Sequence, residues 1–163
     1  MTRIKLKPIA QTDAKDFYNL AHSDELVPSP IAQFLPSYVQ DFESTMEMVG
    51  EFVTQHNGRS LHYYMIRAEN KSIGFISAEF SRVNPQGFYV TYFLGNKHRG
   101  HHYMIEALNL LFKRLEKYEL PCIFEVDDSN SESRHIVESV LQARKIFSNE
   151  SSGKIFHFYR FYP

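Results

Sequence analysis

One cysteine and no tryptophan occur among the 163 residues, and glycine and proline number only seven each. A lone thiol cannot pair within its own chain, so no internal disulfide holds the protein together. Cys122 lies in the apolar run Cys122-Ile123-Phe124, where nothing nearby in sequence would lower its pKa. That favours a buried thiol over a catalytic one. Long apolar runs are missing too, since no stretch approaches the roughly 18 residues of a membrane span. The basic opening MTRIKLK leads into Gln11, Thr12, Asp13 and Lys15, so no secretory segment is expected. Neither sign of charge prevails: 18 Lys and Arg stand against 19 Asp and Glu, with a formal charge of −1 and no basic block. Nucleic acid and anionic membranes are therefore not expected as main partners, and the setting these absences point to is cytoplasmic.

What is present is an apolar complement large enough for a sizeable core: 43% of the chain is hydrophobic and 15% of it is aromatic. A single domain over residues 1–163 is expected. Ile4 to Pro8 reads as a strand, and Thr12 as the cap of a helix over about Asp13 to His22 with Ala14, Phe17, Leu20 and Ala21 on one face. Val27-Pro28-Ser29-Pro30 ends that helix in an irregular lid reaching Phe34-Leu35-Pro36. Ser37 and Gln40 form a capping box for a second helix, about Tyr38 to Gln55, stopped at Asn57-Gly58. Two strands joined in a hairpin follow, about Leu61 to Ala68 and Ile73 to Arg82, and then a strand from Phe88 to Leu94.

That strand enters YFLGNKHRGHHYMIE, residues 92 to 106, where a short Gly-bearing turn opens an amphipathic helix running to about Tyr118. The first N–H groups of a helix lack intrahelical partners and the helix dipole adds positive charge there, so such a turn suits a pyrophosphate. Lys97 and Arg99 add cations. Beyond it, Pro121 to Val126 is a fifth strand, Ser129 with Glu132 caps a helix from Asn130 to about Leu141, and two strands, Arg144 to Ser148 and Ile155 to Phe161, flank a turn. The fold class expected is α/β (α+β), a mixed and mostly antiparallel sheet of about seven strands flanked by about four helices.

Lys97-His98-Arg99-Gly100-His101-His102-Tyr103 with Glu106-Ala107 resembles the Q/R-x-x-G-x-G/A motif of the GNAT superfamily of N-acetyltransferases. Ile4 to Pro8 with Thr12-Asp13-Ala14 resembles the opening of its ribosomal-protein N-terminal acetyltransferase branch, Ile73-Gly74-Phe75-Ile76 resembles the central strand, and Asn130-Ser131-Glu132-Ser133-Arg134 resembles N-x-x-S-R. The matches keep the family's order from about Ile4 to about Phe147. The resemblance implies acetyl-CoA as cosubstrate, an amine as acceptor, and no metal. It assigns the backbone of Phe93, Leu94 and Gly95 to the acyl and pantetheine groups, and Lys97, Arg99, Gly100, His101, His102 and Tyr103 to the pyrophosphate. Asn130 and Ser133 would contact pantetheine, with Ser133 as proton donor to the leaving thiolate.

Four departures bear on these expectations. His102 replaces the family's Gly or Ala, so a side chain stands where backbone should approach phosphate, either obstructing it or substituting a cationic imidazole. Val137 occupies the position of a Tyr acid found in many relatives, which rules out that mechanism here. Tyr89 stands where relatives often place a strand-four carboxylate; Glu79 is taken as the candidate base, with Glu125 and Asp127 as others acting through water. Leu141-Gln142 replaces a Gly-Phe turn. His98, His101 and His102 suggest a metal only weakly, because no carboxylate or thiol joins them locally.

Attack of an amine on a thioester requires the neutral amine, a held acyl oxygen and a proton for the sulfur. The leading expectation is an acyltransferase acting on a small-molecule amine or a protein N-terminus. Two others are an inactive or weakly active CoA-binding module of the same fold, and a homodimer whose aromatic terminal strands form the interface.

Overall fold

A computed structural model describes residues 3–23 and 41–163. The chain order is β1 (Ile4–Pro8), α1 (Ala14–Ala21), α2 (Phe42–Gln55), β2 (Leu61–Ala68), β3 (Lys71–Ser81), β4 (Gly87–Leu94), α3 (Tyr103–Leu115), β5 (Cys122–Asp127), α4 (Ser131–His135), β6 (Arg144–Ser151) and β7 (Lys154–Phe161). The seven strands form one sheet in the order β1-β2-β3-β4-β5-β7-β6. It is mixed, as expected: β4 and β5 run parallel, while β1–β2, β5–β7 and β6–β7 are antiparallel. Contacts divide the chain into two compact units, residues 1–77 with 92–111, and residues 78–91 with 112–163.

The core of the first unit is aromatic. Phe17 of α1 meets Phe75 and Phe93 edge-on, at 5.1 and 5.2 Å between ring centres, and Phe52 of α2 stacks on Tyr63 at 4.5 Å. Edge-to-face pairs set the positive ring edge against a negative face, which adds to the gain from burying the rings. Gly74 allows β3 and β4 to approach closely, because a Cβ there would lie 2.2 Å from the Phe93 carbonyl oxygen. The two-residue turn Glu69-Asn70, both at positive φ, closes the β2–β3 hairpin.

Thr12 is not the cap of α1. Residues Gln11–Asp13 form a 3-10 turn instead, in which the buried Asp13 carboxylate accepts the Ala10 N–H at 2.9 Å, with Lys7 and Arg67 each 3.9 Å away. The second helix starts at Phe42 rather than Tyr38, since Asp41 caps it by accepting the Ser44 N–H at 2.7 Å. Ser37, Gln40 and the proposed lid lie outside the described residues.

In the second unit Phe88 packs between Phe80 and Tyr118, and Phe112 meets Phe161. A 3-10 turn, Glu116–Tyr118, ends the helix that was expected to continue to Tyr118. Ser129 does not cap α4: its N–H and hydroxyl both donate to Asp127 Oδ1, at 2.9 and 2.8 Å, and Asn130 caps instead, accepting the Ser133 N–H at 3.1 Å. An Asp two residues upstream captures the serine, so the next polar residue is left to take the cap. The helix passes into a π turn, Ile136–Val140, and Gln142 takes the left-handed φ of 52° that a glycine would adopt freely. β6 runs on to Ser151, so the turn into β7 is only Ser152-Gly153.

Candidate functional site

The turn after β4 is built from a left-handed pattern. Asn96–His98 form a 3-10 turn, Gly100 has φ 75° and His102 has φ 62°, flanking His101. Left-handed residues alternating in this way point successive N–H groups to one side, a concavity that favours anions. The first helical bond of α3 runs from Glu106 N–H to the His102 carbonyl at 3.2 Å. Among the described residues nothing accepts from the N–H groups of His101, His102, Tyr103, Met104 or Ile105. The helix therefore begins with a run of open donors.

Positive charge surrounds them. Burial pushes the pKa of His98 below its ordinary value of 6.5, and repulsion from His101, Lys97 and Lys71 pushes it further down. Lys97, His101 and His102 are exposed. Arg99 turns its Nε back to the Leu94 carbonyl at 3.3 Å, tying the turn to the end of β4. Ser23 contributes at a distance: its hydroxyl accepts the Asn96 N–H at 2.9 Å and donates to the Leu20 carbonyl at 2.8 Å. Arg3 reaches the turn as well, donating to the His101 carbonyl and to Glu106. Neither Ser23 nor Arg3 stands out in the sequence, because each meets its partner across more than seventy residues.

Phe93, Leu94 and Gly95 are buried at the end of β4. The Gly95 N–H is already committed to the Ile73 carbonyl at 2.9 Å, so it is not an open donor. A Cβ on Gly95 would lie 2.5 Å from Leu20 Cδ2, so glycine here serves packing.

In the second unit, Asn130 and Ser133 stand at the first turn of α4. The Asn130 carbonyl oxygen is occupied by the cap, while its amide N–H groups and the half-buried Ser133 hydroxyl have no partner among the described residues. The hydroxyl is thus available as a donor. Val137 is fully buried and offers no acid. Tyr89 donates to the Pro85 carbonyl at 3.1 Å, and burial together with the nearby Glu125 charge raises its pKa, so it is no base.

Of the candidate bases only Asp127 is set apart by its surroundings. Asp127 is buried and holds Ser129, with Lys154 3.9 Å from its other oxygen. Glu79 is exposed on β3 without a hydrogen-bond or ion-pair partner among the described residues. Glu125 is likewise exposed on β5, and partial desolvation shifts the pKa of its carboxyl upward. Cys122 is fully buried and burial pushes its pKa to about 12, which removes it from the chemistry. No three His, Cys, Asp or Glu side chains gather as metal ligands among the described residues.

A mixed α/β sheet whose fourth strand opens into bare helix-start donors defines a scaffold able to hold phosphate on backbone amides. Residues 3–140 match a family model described as the acetyltransferase (GNAT) domain, and the chain belongs to that family. Among solved structures it is similar to RimL, the ribosomal L7/L12 α-N-protein acetyltransferase in complex with coenzyme A, at 16% identity and TM-score 0.79 over 98% of this chain and 94% of that one. It is also similar to the Salmonella typhimurium acetyl transferase that modifies the N-terminal serine of L7/L12, at 14% identity and TM-score 0.78, covering 100% and 96%. The microcin C7 self-immunity acetyltransferase MccE, in complex with acetyl-CoA and AMP, aligns at 15% identity and TM-score 0.80, covering 100% and 94%. At these identities the likeness is one of fold. No curated protein sequence matches the chain.

Proposed function

We propose that this protein transfers acetyl from acetyl-CoA to a primary amine, either a small molecule or a protein N-terminus, by direct attack. The observation that carries the reading is the run of open N–H groups from His101 to Ile105 among exposed cations, with family membership supplying the cosubstrate. Acetyl-CoA brings the activated thioester. The chain's part is to bind its pyrophosphate at Lys97, Arg99, Gly100, His101, His102 and Tyr103, and to align the acyl arm along Phe93 and Leu94. The family resemblance assigns Asn130 to the pantetheine and the Ser133 hydroxyl to protonating the departing sulfur. The base is a carboxylate acting through water, Glu79 or Glu125, both of them exposed. A cytoplasmic location accords with the buried thiol and with the absence, among the described residues, of any helix long and apolar enough to cross a membrane.

A second reading, a CoA-binding module with little activity, draws on Tyr89, whose hydroxyl is bound to Pro85 where relatives often carry a carboxylate. Titration calorimetry with acetyl-CoA, followed by thiol release against a panel of amines and N-terminal peptides, separates the two. Binding with turnover on one acceptor class supports the transferase; binding without turnover on any supports the module. No binding at millimolar acetyl-CoA removes both.

A further inference from the structure

The anion-type turn is held by a residue far away in sequence. Arg3, just before β1, makes four contacts with the start of α3, all within the first unit. Its backbone N–H donates to Glu106 Oε2 at 3.1 Å, its Nε to Glu106 Oε1 at 2.7 Å and its Nη2 to the His101 carbonyl at 2.7 Å, while the guanidinium lies 4.8 Å from the Tyr103 ring centre. The His101 carbonyl is the acceptor that the Ile105 N–H would take if the helix began one residue earlier. With Arg3 on that carbonyl and the left-handed His102 next in the chain, Ile105 keeps its N–H open, along with those of His101 to Met104.

We propose that Arg3 is a positioning residue for the cosubstrate: it clamps the His101 carbonyl and Glu106 so that the N–H groups of residues 101 to 105 stay turned outward to receive the pyrophosphate of acetyl-CoA. This rests on the acetyl-CoA reading above. Glu106 has a part in it, since it neutralises the guanidinium. Burial works to raise the Glu106 pKa, but the hydrogen bonds and charge of Arg3 outweigh it and hold the carboxyl below the usual range. The fork geometry matters, because one planar guanidinium serves a carboxylate and a carbonyl simultaneously, which a single ammonium cannot do in the same geometry.

The test compares wild type, Arg3→Ala and Arg3→Lys with two acyl donors, acetyl-CoA and acetyl-pantetheine, the latter lacking the pyrophosphate. Wild-type turnover with acetyl-CoA comes first; its absence defeats the transferase reading and not the clamp specifically. Given that turnover, Arg3→Ala is expected to raise KM for acetyl-CoA about tenfold with kcat nearly unchanged, as misplacement of binding groups by a fraction of an ångström allows. KM for acetyl-pantetheine should stay at the wild-type value. Arg3→Lys should resemble Arg3→Ala. The proposal is overturned if KM for acetyl-CoA is unchanged in Arg3→Ala, if both donors lose equally, or if Arg3→Lys restores the wild-type value, which would make Arg3 a long-range charge only.

Discussion

His102 holds a left-handed conformation without being glycine, and replacing it offers a direct measure of what that turn costs the fold. Its φ of 62° places the Cβ of an L-residue against its own carbonyl, at a cost of roughly 1–2 kcal/mol. Glycine removes that strain but has more freedom to lose on folding, an offset of about 0.5–1 kcal/mol. His102→Gly is therefore expected to stabilise the protein by about 0.5–1 kcal/mol, or about 1–4 °C in Tm for a chain of this size. The imidazole is exposed and has no hydrogen-bond partner among the described residues, so nothing of comparable size is lost with it. His102→Ala keeps the Cβ and with it the strain, and should melt no higher than wild type. Urea unfolding and thermal melts of the three proteins decide the matter. A glycine variant less stable than wild type, or an alanine variant equally stabilised, would refute the strain argument.

The same variant reports on the cosubstrate. The backbone already adopts the left-handed path that glycine favours, so His102→Gly leaves the donors in place and removes only the imidazole at their rim. Tighter acetyl-CoA binding at every pH is expected by calorimetry. Weaker binding at pH 6 would show that the imidazole acts as a cationic contact.

The succession of strands and helices along the chain was legible in the sequence because each element carries its own local pattern. The end of β1 and of the β2 hairpin, and the turn opening α3, follow from alternation, turn residues and apolar spacing within a window of about ten residues. Caps were less legible, and the reason is competition. Thr12, Ser129 and Asn130 are all acceptable caps by residue type, and the choice fell to whichever neighbouring carboxylate reached a serine or backbone N–H first, Asp13 in one case and Asp127 in the other. In the candidate site the turn was readable, yet what secures it was not. Arg3 and Ser23 act across distances of 98 and 73 residues, and only the packing of β1 and α1 beside the turn brings them there. Gly95 shows the converse, since the family resemblance implied an open backbone donor there and the adjacent β3 carbonyl had claimed it.

Three other outcomes are expected. Asn130→Ala should lower stability by about 1 kcal/mol in urea unfolding, through loss of the cap, whereas Ser133→Ala should stay within about 0.5 kcal/mol of wild type yet slow acetyl transfer; equal melts for all three proteins would contradict the assigned cap. Gly74→Ala forces a methyl to within 2.2 Å of the Phe93 carbonyl and should cost about 1–3 kcal/mol, so a melt unchanged from wild type would mean that β3 and β4 are farther apart than described. The third concerns proton linkage at His98. In the free protein burial and the charges of His101, Lys97 and Lys71 hold its pKa below 6.5, so at any given pH more of this imidazole is neutral than of an ordinary histidine. A bound pyrophosphate would offset the cationic repulsion and raise that pKa, so binding takes up protons between the free and bound values. The sign follows: acetyl-CoA affinity should rise as pH falls through that window and level off well above it. Calorimetry at pH 6 in buffers of different ionisation enthalpy measures the uptake directly, and His98→Gln should abolish most of it. Zero uptake in the wild type at that pH, with binding intact, would place the pyrophosphate away from this turn.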